Sequence, residues 1–264
     1  MPIPPPSSDT SVDAPHRIPV PRHRVGRDVL VVIPACNEAG RIDKVIRGLQ
    51  SLPAALHIVV VDDGSTDNTR EEARALGAVV LRHPFNLGYG AALQTGYIYA
   101  RRHGFARLVQ MDADGQHDPE SVPALLDALD DGADLVVGSR FQNPGVAPAT
   151  TFLRRLGSRV FATIVTMWTG VKITDPTSGF QAMSSRSIEQ VARDGFPEDY
   201  PDADVLVQLS KCGLKLVEVP VKMHPRLGGV SMHRGTRAAF YGYKMFMSLA
   251  LLRVRRRSPY RSAS

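Results

Sequence analysis

Residues 109–116 read VQMDADGQ, an apolar run that ends in two carboxylates one residue apart, with a glycine and an amide directly behind. In an extended chain, residues i and i+2 point the same way, so Asp112 and Asp114 could share one cation, and Gln116 supplies another oxygen at the same stride. Hard divalent ions such as Mg2+ and Mn2+ favour oxygen ligands and leave positions open for water and phosphate oxygens. The chemistry suggested is a metal–diphosphate site. The same letters also fit a strand end followed by a turn, because Asp and Gly are common turn residues and Asp118-Pro119 looks like the start of a helix. The D-x-D pair alone does not decide between these readings.

The elements that must position the pair are readable from the pattern. DVLVVIP (28–34), HIVVVDDGS (57–65), AVVLRH (78–83), RLVQMDAD (107–114) and ADLVVGSR (133–140) read as strands. Between them lie helical patterns over 38–52, 67–76, 86–104 and 119–132, the second with Asp67 placed to cap it. Apolar strands alternating with helices predict an α/β protein, a Rossmann-like, mainly parallel sheet covered by helices on both faces. Asn37 and Glu38, Asp62 and Asp63, Asp112 and Asp114, and Ser139 and Arg140 then all fall just past the C-terminal ends of their strands. In open α/β sheets, ligands bind at that edge. Agreement among separate strand ends favours a cation or sugar site over loops that are merely polar.

Beyond Gln142 the pattern loosens. A helix is expected over 152–169, a polar turn at Thr177, Ser178 and Gly179 before a short strand, helices over 184–195 and 203–213, and a strand over 214–226. RAAFYGYKMFMSLALLRVRRR (237–257) is apolar and aromatic with a basic end, which suits an interfacial helix.

The 264 residues can bury a full core, and 43% hydrophobic with 22% charged residues fits a globular protein. The net charge of +6 is concentrated at the two ends, with His16, Arg17, Arg22, His23, Arg24 and Arg27 at one and Arg253, Arg255, Arg256, Arg257 and Arg261 at the other. Such ends can meet anionic lipid, nucleic acid or water. No aromatic platform or recognition motif accompanies the arginines, so nucleic acid is not expected as a partner. Cys36 and Cys212 do not imply a disulfide, and a reduced, cytoplasmic setting is the simpler expectation. Residues 1–27, rich in Pro and Ser and without an apolar core, read as a disordered leader rather than a secretory signal. MFMSLALL (245–252) is shorter than the roughly 20 residues needed to cross a bilayer. No G-x-G-x-x-G follows the first strand, which disfavours a nicotinamide dehydrogenase.

The ordered set PACNE (34–38), VDDGSTD (61–67), NLGYGAA (86–92), MDADGQHDP (111–119), GSR (138–140), TSGF (177–180) and EVPVKMHPRLGGVS (218–231) resembles family 2 glycosyltransferases, specifically the dolichol-phosphate and polyprenyl-phosphate sugar synthases. The resemblance implies a GT-A fold over 28–231, while the pattern of the residues themselves reads 232–264 as an amphipathic, Arg-rich membrane-associating segment, in place of the transmembrane hairpins of some relatives. It also implies inverting transfer of a mannose- or glucose-type sugar from a nucleotide-sugar, GDP-mannose or UDP-glucose, to a polyprenyl phosphate, with Mg2+ or Mn2+. Carried over by position, Pro34, Cys36 and Glu38 line the donor pocket with Val61 and Asp63. Asp112, Ala113, Asp114 and Gln116 hold the metal and the donor diphosphate, the metal falling to Asp112, Asp114 and Gln116. Arg140 and Arg226 serve the phosphate groups at the reaction centre, joined by Ser231 on the acceptor phosphate, and Asp114 and Arg140 are the expected catalytic pair. Two departures stand out: Cys36 replaces the family's usual Tyr, removing a side chain that would stack on the base, and Met232 follows Ser231 where a basic residue is common. The implied place is peripheral, at the inner face of the membrane, with or without a membrane-bound partner subunit.

The reaction makes its own demands. A departing nucleoside diphosphate gathers negative charge that a metal at Asp112 and Asp114 stabilises. A lipid monophosphate acceptor is already ionised, so the protein must supply cations rather than a strong base, and guanidinium forks such as Arg140 and Arg226 suit phosphate. The plain alternative for Arg140 is a surface salt bridge. A hydroxyl on a soluble or secondary-metabolite acceptor would instead need a carboxylate base. Asp202 and Asp204 are the candidates, with helix capping as their other reading. Cys36 reads as a small packing residue rather than a nucleophile. A third possibility, a catalytically silent binding subunit, sits poorly with an intact D-x-D-x-Q.

Overall fold

The computed structural model describes residues 29–142, 152–193 and 203–224, and Met247. The apolar runs form β1 (Val29–Ala35), β2 (Leu56–Asp62), β3 (Val79–Arg82), β4 (Arg107–Gln110) and β5 (Leu135–Ser139). Between them run α1 (Ile42–Gln50), α2 (Thr69–Ala75), α3 (Tyr89–Arg102) and α4 (Val122–Asp130). Then come α5 (Phe152–Thr169), β6 (Gln181–Ser184), α6 (Ser185–Val191), α7 (Ala203–Lys211) and β7 (Leu216–Pro220). The strands make one sheet in the order β3-β2-β1-β4-β6-β5-β7. All neighbours are parallel except β6, which runs antiparallel to both β4 and β5.

Both faces of the sheet are covered, as the unbroken apolar strands require. Along β1, Leu30 and Val32 face a core with Leu93 and Tyr97 of α3 and Leu206 of α7. Val29, Val31 and Ile33 face the opposite core with Ile42, Ile46 and Leu49 of α1 and Leu125 of α4. A strand running against its neighbours begins at the edge where they end. The antiparallel β6 therefore brings the Thr177–Gly179 turn that precedes it to the tips of β4 and β5.

Several elements are shorter than the sequence expectation, the last strand most of all, since β7 ends at Pro220 rather than reaching 226, and two boundaries bear on the site. The first helix begins at Ile42 rather than 38, because Asn37 (φ 56°) and Gly40 (φ 73°) adopt left-handed backbone. The turn they form is held by side chains at the start of α2. Thr69 Oγ1 accepts from Glu38 N at 2.8 Å, Asp67 Oδ2 from Ala39 N at 3.2 Å and Glu72 Oε2 from Gly40 N at 2.7 Å. The fourth strand stops at Gln110 instead of continuing through Asp114, so strand alternation is not what brings Asp112 and Asp114 together. After Met111 N donates to Val32 O at 3.1 Å, the ladder gives way to a turn with Gly115 at φ 75°.

The leader, the segment from 232 to 264 apart from Met247, and the expected site residues Arg226 and Ser231 lie outside the described residues, as does Asp202. No described helix is long and apolar enough to cross a membrane.

Candidate active site

The D-x-D turn is fixed from several sides. Asp114 Oδ1 accepts from Gln116 N at 3.0 Å, an Asx-type turn that aims the carboxylate along its own loop. Asp112 N donates to His117 Nδ1 at 3.1 Å, which leaves the ring proton on Nε2, 3.8 Å from Asp112 Oδ2. Asp112 Oδ1 accepts from Tyr89 Oη at 2.8 Å. That phenol accepts from Gln110 Nε2 at 3.2 Å, and the Gln110 carbonyl oxygen accepts from the buried Tyr97 hydroxyl. A directed chain of polar groups thus runs from the core to Asp112. Gly179, at the turn before β6, lies so close that a Cβ there would stand 2.9 Å from both Asp112 Oδ2 and Tyr89 Oη. Among these groups Asp114 is 7% exposed, while Asp112 keeps 32% of its side chain accessible.

At the tip of β5, Arg140 Nε donates to Asp175 Oδ2 at 2.6 Å and Nη2 to Asp175 Oδ1 at 3.4 Å. Asp175 is fully buried, and Arg140 also lies over the Phe141 ring at 5.6 Å. His117 joins the two halves of the site. Its ring stacks on Phe180 at 4.9 Å, and burial pushes its pKa down to about 4, with Asp114 pulling upward, Arg140 downward and Asp175 upward. The groups expected from β4 and from β5 therefore act on one buried imidazole. The chain leaving β7 closes the arrangement: Val221 N donates to Ser139 O at 3.1 Å, Met223 bridges His117, and His224 N donates to Gln116 O at 2.7 Å.

The expected donor-pocket residues divide by exposure. Cys36 and Glu38 are half-buried at the tip of β1, while Pro34, Val61, Asp63 and Ala113 are buried. Val61 belongs to the core between β2 and α3, so its side chain supports the pocket floor from beneath. The Asp63 carboxylate is engaged by its own chain, accepting from Leu87 N at 2.8 Å and Gly88 N at 2.9 Å and lying 2.7 Å from His83 Nδ1. It thereby pins the glycine-rich entry to α3 over the β2 tip. Glu38 pairs with Arg41. Asn86 Nδ2 donates to Cys36 Sγ at 3.2 Å, and the thiol pKa is raised, by burial first and then by the Asp63, Asp62 and Asp67 carboxylates against the lowering effect of Asn86. Asp204 lies buried in the first turn of α7, with Oδ1 accepting from Val205 N at 2.9 Å; it is inside the helix rather than at its cap, where a carboxylate suits the positive end of the helix dipole.

Sequence reasoning assigns no role to Tyr89, His117, Asp175 or Gly179. Each lies within or beside a recognisable motif, NLGYG, DADGQHDP or TSGF; Tyr89, Asp175 and Gly179 have their partners on other elements, and His117 meets Asp112 within its own loop and Phe180 outside it.

The sequence profile of glycosyl transferase family 2 matches residues 30–192. The chain is 34% identical over 216 residues to the polyprenol monophosphomannose synthase of Mycolicibacterium smegmatis, covering 78% of this chain and 81% of that protein. It is 29% identical over 245 residues to a UDP-N-acetylglucosamine–dolichyl-phosphate N-acetylglucosaminyltransferase of Methanococcus voltae, covering 86% and 96% respectively. Among solved structures, glucosyl-3-phosphoglycerate synthase from Mycobacterium tuberculosis, in complex with Mn2+, UDP-glucose and phosphoglyceric acid, superposes with a TM-score of 0.67. The identity there is 23%, with 86% of this chain and 79% of that one covered, and the likeness is one of fold.

Proposed function

The chain belongs to glycosyl transferase family 2 and has a GT-A fold, and on that premise we propose that it transfers a mannose- or glucose-type sugar, with inversion, from a nucleotide-sugar to a polyprenyl phosphate. The observation that carries this reading is that one stretch of chain, Asp175 to Gly179, meets both Asp112 and Arg140 at the C-terminal edge of the sheet: a Cβ at Gly179 would stand 2.9 Å from Asp112 Oδ2, and Asp175 Oδ2 accepts from Arg140 Nε at 2.6 Å. A carboxylate for a metal and a cation for phosphate are thereby tied to the same turn. The M. smegmatis and M. voltae relatives, whose names specify polyprenol and dolichyl-phosphate products or acceptors, support a lipid acceptor.

The donor set fits Mg2+ or Mn2+. Asp112, Asp114 and Gln116 offer hard oxygens, and no group of three or more His, Cys, Asp or Glu that could hold a metal occurs among the described residues. Two carboxylates and an amide leave positions for diphosphate oxygens, as such ions require. When bound, the ion would neutralise the charge that builds on the departing nucleoside diphosphate. Tyr89 and Gly179 hold the Asp112 carboxylate in place. Arg140, and Arg226 from the segment after β7, would hold the acceptor phosphate against the donor. His117 keeps its proton on Nε2 beside Asp112 and stays neutral near pH 7, so it adds no competing positive charge to the metal loop.

Beside Phe141, the residue after Arg140, lies a cleft of about 650 Å³ whose lining mixes apolar side chains with Thr163, Thr166 and Thr174. It is lined by Phe141, Met167 and Ile173, with Arg159 and Lys172 as cations. Val160 and Met167, seven residues apart on one face of α5, are 50% and 73% exposed. Such a face suits the membrane surface, with the segment 232–264 as a second attachment.

The test is Asp114→Ala with donor, Mn2+ and a short polyprenyl phosphate. Transfer should vanish and metal-dependent donor binding weaken while the thermal transition stays cooperative. Full activity in this variant, or of the wild type in excess EDTA, would remove the metal role.

A further inference from the structure

Arg140 is held in place with unusual thoroughness for a residue at a strand tip. Asp175 takes the Nε edge of the guanidinium side-on, and this pairing directs Nη1 and the outer edge of Nη2 away from the carboxylate. Asp175 is itself fixed from β7. Glu218 Oε1 accepts from Thr174 N and Asp175 N, both at 2.8 Å, and Oε2 accepts from Thr174 Oγ1 at 2.9 Å and Gln142 Nε2 at 2.7 Å. Ser139, the residue before Arg140, meets Thr174 Oγ1 at 2.8 Å through its own hydroxyl. The turn between α5 and β6 is thereby locked to the tips of both β5 and β7.

Stability alone is a poor explanation for this arrangement. Asp175 is 0% exposed and the Arg140 side chain 17%. Burying such a pair costs desolvation that its attraction roughly returns, so apolar residues of similar size would serve the fold as well. What the pair supplies is orientation. A guanidinium that must receive a phosphate works only if its fork is already aimed, because a misplacement of about 1 Å can cost about a hundredfold in rate.

We propose that Asp175, backed by Glu218, is a positioning residue that sets the Arg140 fork for the phosphate of the acceptor or donor. This rests on Arg140 being a phosphate ligand of the proposed reaction. Asp175 touches no substrate; its effect on the phosphate is exerted through Arg140, so that a substrate phosphate meets a cation whose direction is fixed before binding.

The experiment is a double-mutant cycle on kcat/KM in the full chain, with Asp175→Asn, Arg140→Ala and the double variant, alongside thermal unfolding of each. Asp175→Asn should lower kcat about tenfold or more with a smaller change in donor KM, and Arg140→Ala should lower it further. The double variant should be no worse than Arg140→Ala, since a misaimed fork has no consequence once the fork is gone. Losses that multiply overturn the proposal, and so does an Asp175→Asn variant that loses thermal stability while its folded fraction keeps wild-type kcat, the result a merely structural pair would give. If Arg140→Ala is impaired while Asp175→Asn matches the wild type, the positioning role fails and the reading of Arg140 stands. If Arg140→Ala itself matches the wild type, both fall. Should Asp175→Asn fold poorly, Glu218→Gln repeats the cycle at the outer link. A several-fold loss that disappears in the Arg140→Ala background supports the relay, and a loss that persists there refutes it.

Discussion

Gly179→Ala tests whether the position of the Asp112 carboxylate matters to the reaction. The added Cβ would stand 2.9 Å from Asp112 Oδ2 and Tyr89 Oη and 3.1 Å from Asp112 Oδ1. Carbon–oxygen contacts settle at about 3.3–3.6 Å, so the carboxylate and the phenol must retreat by roughly half an ångström. Retreat strains or breaks the 2.8 Å bond from Tyr89 to Asp112, the last link of the chain that begins at Tyr97. The backbone at Gly179 is not in the left-handed region, so alanine adds no conformational penalty. Overpacking a sealed core costs about 1–3 kcal/mol. Gly179 is half-buried and meets the ends of two side chains, so the cost to the fold should lie near the lower limit, about 1 kcal/mol. The cost to the reaction should be larger, about ten- to a hundredfold in turnover, with a higher Mn2+ concentration needed for half-maximal rate. Initial rates across a Mn2+ titration, with unfolding measured in parallel, give both numbers. A folded Gly179→Ala enzyme with wild-type turnover and wild-type metal dependence would show that Asp112 need not stand where the structure puts it.

The buried His117 predicts a pH dependence of stability in the metal-free protein. Its folded pKa of about 4 lies below the ordinary 6.5, so between those values the unfolded chain binds the extra proton. The contribution is complete above about pH 6.5, falls as pH drops, and amounts to on the order of 3 kcal/mol lost below pH 4. Denaturant unfolding in EDTA should show a shallower loss across this window in His117→Gln, and an identical slope would refute the burial argument. A separate expectation concerns the segment from Arg237 onward, where Phe240, Tyr241, Tyr243, Phe246 and Leu249 precede Arg253 and Arg255–Arg257. The full chain should co-sediment with anionic liposomes at low salt and a chain ending at Arg237 should bind less, each arginine near the surface contributing about 1 kcal/mol; equal binding by both would rule out that segment as the anchor.

Much of the fold is legible in the sequence because the strands are buried on both faces. The runs that form β1 and β5, and Ile58–Val61 of β2, have no polar interruption, and the strand tips with their polar pairs follow from that. The candidate site at those tips follows from the same pattern, but the local geometry of its carboxylates differs from what the motif suggests. Alternation along an extended chain would bring Asp112 and Asp114 to one side, whereas β4 ends at Gln110 and both residues sit in a turn. Met111 and Ala113 are buried, at 0% and 3% exposure, so the letters MDAD keep the alternating look of a strand after the ladder has stopped.

What stops the ladder is partly local and partly not. The Asp112 N–H meets His117 Nδ1, five residues on, instead of a neighbouring strand, and Phe180 of the antiparallel return stacks on that imidazole. The direction of β6 cannot be read from its four residues, since QAMS pairs as well either way round. Yet that direction decides the site, because only a strand starting at the C-terminal edge delivers Gly179 to Asp112 and Asp175 to Arg140. Local sequence could thus mark the carboxylates and the arginine as reactive residues at strand ends. The groups that aim them, 23 residues away for Tyr89 and Asp112 and 35 for Asp175 and Arg140, become visible only once the chain has reversed. A substitution that left every strand-tip residue intact but disturbed the return, such as Gly179→Ala, should therefore cost activity that no reading of the D-x-D motif alone would foresee.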